Sequence, residues 1–151
     1  MLNPDTPTSW IITRLRASSA LVALLGGQHF YQPGEVVGAP KAYVLVMPPS
    51  QHDAGIYAER FPQILNSRYT VCVESRTDLL ADNESLDDVL TPIFLALCNA
   101  LLGVDVPNAP TGGRVWSCNI TGFHTPPTAP IFANSDVRVQ QKGVIAQITS
   151  S

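Results

Sequence analysis

Apolar residues recur at helical spacing in two stretches of the chain and at strand spacing in several others. Ile11, Leu15, Val22 and Leu25 share one helical face, widened by Ile12, Leu21 and Leu24. The pattern predicts an amphipathic helix with an N-cap within Pro7-Thr8-Ser9. Gly26-Gly27 ends it, since glycine takes the left-handed stop at no steric cost. Arg14 and Arg16 fall off the stripe, toward water or a neighbour. A second helix starts at Asp82 or Asn83, follows Leu86, Leu90, Ile93, Leu97 and Leu101, and ends at Gly103. Pro92 lies inside it and lacks a backbone donor, so the sequence predicts a kink there or a fresh helix start capped by Thr91.

Residues 42–47, AYVLVM, are apolar at every position and stopped by Pro48-Pro49, the pattern of a strand covered on both faces. Residues 68–74, RYTVCVE, place Tyr69, Val71 and Val73 on one face and Thr70, Cys72 and Glu74 on the other, which predicts a half-buried strand. Residues 114–122 alternate in the same way, and a last strand covers 137–148, with Gly143 predicted to mark a bulge or a change of partner. Between these elements run loops at 28–41, with a short strand near 35–37, at 50–66, at 104–113 and at 123–135. The order is helix, two strands, helix, two strands. It predicts an α+β domain over residues 1–151, with a mostly antiparallel sheet of about four or five strands and two main helices packed on one face.

Composition changes this picture in one respect. Of the 151 residues, 14% are charged, against roughly 25% in ordinary soluble domains. A surface this poor in charge is expected where partners cover much of it. Net charge is −3 and the nine Lys and Arg are scattered, with none of the basic stripes that grip nucleic acid. No apolar run reaches the length of a membrane span, and the first residues, MLNPDTPTSW, do not predict a secretory signal. The acids cluster: Glu74, Asp78, Asp82, Glu84, Asp87 and Asp88 fall within fifteen positions.

The catalytic inventory is empty. His29, His52 and His124 fall in predicted loops with no short-spaced His or Cys partner, so no zinc site is expected. No nucleophile elbow, phosphate loop or dinucleotide fingerprint occurs. Asp87 and Asp88 are neighbours on a helix, pointing about 100° apart, and cannot share a proton. Cys72, Cys98 and Cys118 lie in apolar stretches, where free thiols pack as small hydrophobes. No enzyme, cofactor or metal is expected.

The order of elements does resemble a family. A helix ending in LLGG is followed by a Pro-preceded apolar strand, APKAYVLVMPP, and an alternating strand, RYTVCVES. A leucine-rich helix, LADNESLDDVLTPIFLALCNALLG, and two late strands complete the layout. It looks like that of the tail terminator, or tail completion, proteins of long-tailed bacteriophages. The resemblance implies a structural virion protein, assembled in the host bacterial cytoplasm. It would form a homohexameric ring that caps the tail tube and joins it to the head-side connector and neck proteins. Loops in that family make the axial contacts. The long loops here offer Ile56, Tyr57 and Phe61 in one, and Phe123, Pro130, Ile131 and Phe132 in the other, as interface candidates; the alternative is that they tuck onto their own domain. DNA would pass through the ring without specific binding. Asp82, Glu84, Asp87 and Asp88 are candidates for an acidic lumen that repels its backbone, the alternative being a solvated outer face. A head-completion or stopper protein of the neck would have similar size and composition; the alternative from a different class is a cytosolic ligand-binding accessory module, with the long loops as its pocket rim.

Overall fold

The computed structural model describes residues 7–36, 40–49, 51–53, 65–76, 85–101, 104–105, 115–126, 131–132 and 138–150. It is an α+β fold: helices α1 (Pro7–Arg16), α2 (Ser19–Leu25) and α3 (Leu86–Leu101) lie on one face of a sheet. Four long strands carry the sheet: β2 (Ala42–Val46), β4 (Leu65–Arg76), β6 (Val115–His124) and β8 (Arg138–Ser150). Four shorter strands, β1 (Phe30–Tyr31), β3 (Gln51–Asp53), β5 (Val104–Asp105) and β7 (Ile131–Phe132), extend its edges. The order is β1-β2-β4-β8-β6-β5, with β3 also on β4 and β7 also on β8. Among the described pairs only β1–β2 is parallel. The spine is the β4–β8 ladder, in register without a break from Leu65↔Ser150 to Arg76↔Val139.

Pleating sorts the side chains. Val44 and Val46 of β2, Tyr69, Val71 and Val73 of β4, and Val144, Ala146 and Ile148 of β8 face the helices. There they meet Ile11, Ile12 and Leu15 of α1, Leu21 and Leu25 of α2, and Leu90, Ile93, Leu97 and Leu101 of α3. Each such side chain, fully buried, contributes roughly 1.5–3 kcal/mol. The opposite face carries a smaller cluster of Tyr43, Leu45 and Cys72, flanked by Tyr31 and Met47.

The first predicted helix is two. Ser18 leaves helical geometry (φ −80°, ψ 104°), and its hydroxyl accepts from the Leu21 amide, capping α2 afresh. The stop falls where glycine predicts it: Gly26 is left-handed (φ 72°), with Gly26 N–H bonded to Ala23 O and Gly27 N–H to Val22 O. The predicted N-cap is displaced too, because Pro7, Thr8 and Ser9 are themselves helical. Arg14 Nε donates to Ala100 O (3.3 Å), placing a cation at the carbonyl end of α3. The second helix is capped by Ser85, not by Asp82 or Asn83. Ser85 Oγ accepts from Asp88 N–H (3.2 Å), and Asp88 Oδ2 accepts from Ser85 N–H (3.0 Å), a reciprocal box that satisfies two orphan donors. α3 runs through Pro92 as one helix.

Each of the four predicted loops contributes a short strand. In residues 28–41 the described strand is Phe30–Tyr31, because Phe30 is buried against α1 and the main core; Glu35 and Val36 are in no strand, and Val37 lies outside the described residues. β3 extends the β4 ladder beyond Pro48-Pro49, and β5 and β7 do the same at the β6 side. Gly143 makes no bulge, staying in register opposite Cys72, but it does mark the predicted change of partner: β6 pairs with β8 as far as Gly143, and β7 takes that side at Val139. A Cβ at Gly143 would stand 2.5 Å from Cys72 Cβ and 2.6 Å from Val71 O, so glycine is needed for close strand approach. The irregularities lie on β6, between Val115 and Ser117 and between Ile120 and Gly122.

Candidate assembly surfaces

The second bulge re-aims the end of β6. Ile120 packs against the helix-side core, and strict alternation from it would send Phe123 to the opposite face. Thr121 is the extra residue, and after it Phe123 pairs with Val144 and returns to the helix side. Its ring meets Phe94 of α3 (centroids 6.0 Å), and Lys142 Nζ lies 5.2 Å from the centre of the same Phe94 ring. Phe123 nevertheless remains 70% exposed, the most exposed large hydrophobic side chain among the described residues. Beyond the short β5 pairing, residues 119–124 of β6 have no ladder partner on their outer side among the described residues.

On the other flank of α3 lies a cleft of about 290 Å³. Ala23 and Leu24 of α2 form one wall, Val89, Pro92 and Ile93 of α3 the other, with Ala42 at the start of β2 and the charged residues Lys41 and Asp88 completing the lining. Leu24, placed by its spacing on the buried stripe, is instead 47% exposed at this cleft. α2 is too short to wrap the apolar side of α3 fully, and the cleft is what it leaves open.

Asp87 and Asp88 are exposed in the first turn of α3, where carboxylates complement the helix dipole. The Ser85 amide and hydroxyl hold the Asp88 carboxyl below its usual range. Asp82 and Glu84 lie outside the described residues, as do Ile56, Tyr57, Phe61 and Pro130. Ile131 and Phe132 form β7, and their side chains are not described.

Glu74, read as part of the acidic cluster, is buried on the face opposite the helices. It ends a polar chain: His124 Nε2 donates to Gln141 Oε1 (2.9 Å), Gln141 Nε2 donates to Glu74 Oε1, and the Tyr43 hydroxyl donates to the same carboxylate. Burial first, and then that carboxylate, push the Tyr43 hydroxyl well above its ordinary value. His124 thus sits in a strand and not in a loop, as does His52 in β3. His29 bonds the Tyr31 hydroxyl (3.0 Å). Burial raises Cys72 to about 12 and Cys118 to about 11, and it also raises Cys98, so all three thiols are held protonated at neutral pH. Among the described residues no three His, Cys, Asp or Glu gather as metal ligands, and no helix is long and apolar enough to cross a membrane.

Sequence reasoning found Phe123 by its composition alone and missed the cleft, Lys142 and the polar chain. The only sequence signal for the cleft was Pro92, a residue that a helix interior disfavours.

No protein-family model and no curated protein matches the sequence. The comparison with solved structures does find a likeness. A chain from the virion of a native gene transfer agent particle superposes with a TM-score of 0.59 at 18% identity, covering 96% of this chain and 95% of that one. The two share a fold. The likeness runs through the whole α+β body and not through one motif, because it spans nearly the full length of both chains.

Proposed function

We propose that this chain is a structural virion protein, a tail terminator that forms a ring at the head-proximal end of the tail tube and joins it to the head-side connector. One observation carries the reading: its fold, over nearly the whole length, resembles that of a chain from a phage-like virion. The sparse charge of the sequence and the exposed Phe123 support it, since surfaces that meet copies and neighbours are poor in charge and rich in aromatics. The partners on this reading are further copies of the chain, the tube protein below and neck proteins above. The role needs no cofactor and no catalysis.

In such a ring the first turn of α3 lines the bore. Asp87 and Asp88, with Asp82 and Glu84 in the preceding segment, would repel the phosphate backbone, so that DNA slides through without adhering. The double variant Glu84→Lys, Asp87→Lys is then expected to slow genome ejection while particles still assemble. Unchanged ejection and infectivity would remove the lining role and leave the ring.

The test of the ring itself is size-exclusion chromatography with light scattering and negative-stain imaging, of the chain alone and seated on tail tubes. Closed rings with a central hole are expected. Compact monomers in both conditions contradict the reading and favour a ligand-binding module. Rings found only on the head-side connector, never on tubes, favour a neck stopper.

A further inference from the structure

Resting on that ring reading, we infer that the contact between neighbouring copies is made by Phe123 of one copy entering the α2–α3 cleft of the next. Three observations converge on this pairing.

The first is exposure: a phenyl ring 70% open to water on a strand edge has no partner sufficient to cover it among the described residues. The bulge at Thr121 is what holds it there, on the helix side of the sheet. The second is room. The cleft measures about 290 Å³, and an apolar cavity of about 150 Å³ already admits benzene. Its walls are the apolar Ala23, Leu24, Val89, Pro92 and Ile93.

Position is the third. β6 and β2 are separated by β8 and β4, and the two features flank α3 on opposite sides. Phe123 therefore cannot fill the cleft of its own chain. A knob and a hole on opposite flanks make a heterologous contact, the kind that closes into a ring when the rotation per copy is right.

Two variants separate the halves of the contact. Phe123→Asp removes the knob at an exposed site, and Ala23→Trp fills the cleft from the exposed side of α2. Each is expected to keep the wild-type melting curve and to weaken self-association by at least about tenfold, the loss of a buried aromatic anchor. Mixed in equal amounts, the two are expected to form one-to-one dimers and nothing larger, because each mixed pair retains one knob and one cleft. As a covalent check, the double variant Phe123→Cys, Leu24→Cys is expected to give a ladder of disulfide-linked oligomers on oxidation that neither single variant gives. If Phe123→Asp still forms rings, a different surface holds the copies: this inference fails and the ring stands. If the wild type stays monomeric both in solution and on tail tubes, both fail.

Discussion

Two side chains show how single residues set this structure's tolerance. Gly143 sits where β8 presses against β4, and a methyl group there would meet Cys72 Cβ and the Val71 carbonyl, one of them backbone. Gly143→Ala is expected to destabilise the chain by about 1–3 kcal/mol, the cost of overpacking a close-packed core, read as a lower urea midpoint at unchanged slope. A wild-type midpoint would mean that the two strands part without cost. The buried thiols set an alkaline limit. In the unfolded chain they ionise near 9, whereas in the folded chain Cys118 holds its proton to about 11 and Cys72 to about 12. The folded state therefore binds more protons in that window, so its stability is full below pH 9 and falls as pH rises through these values. Each group costs about 1.4 kcal/mol per pH unit. Urea midpoints in reducing buffer should fall between about pH 8 and about pH 10.5, and Cys72→Ala should make the fall shallower. A flat profile would contradict the burial of these thiols.

At the scale of elements, the helix interiors and the long strands were legible because each repeats a period several times. Leu90, Ile93, Leu97 and Leu101 all point into the core, and Tyr69, Val71 and Val73 line one face of β4. What escaped the sequence was set by single hydrogen bonds or by distant partners. Ser18 ends one helix and starts another through a cap that competes with an unbroken apolar stripe. β1, β5 and β7 are two residues each, too short to display a period, and exist because β2, β6 and β8 offer open edges. Of the two readings of Gly143, the bulge fails and the change of partner holds, since the β6 pairing of β8 ends at Gly143 and β7 takes that side at Val139. The cap of α3 is testable on its own terms. Ser85→Ala removes the acceptor for the Asp88 amide and is expected to cost about 1 kcal/mol, seen as a lower melting temperature, while Ser85→Asn should retain most of the stability. Equal losses in the two variants would show that the cap contributes nothing beyond the side chain's bulk.

For the whole molecule, the sheet-and-helix body was readable in outline, and the candidate surfaces were readable only in part. Phe123 stands out by its residue type, but its return to the helix side depends on a bulge, and the cleft depends on how much of α3 the short α2 leaves uncovered. Both are products of packing between segments far apart in the chain. The result is a body with few charges, a closed core, two buried thiols, and a knob and a cleft on opposite flanks of one helix. On the proposed reading, such a molecule fits against copies of itself and neighbouring virion proteins. Its place in a particle is tested most directly by antibody-gold labelling of gradient-purified virions from a host that produces the chain. Label concentrated at the junction of head and tail is the predicted result. Unlabelled virions, with all of the protein left in the soluble lysate, would contradict the account.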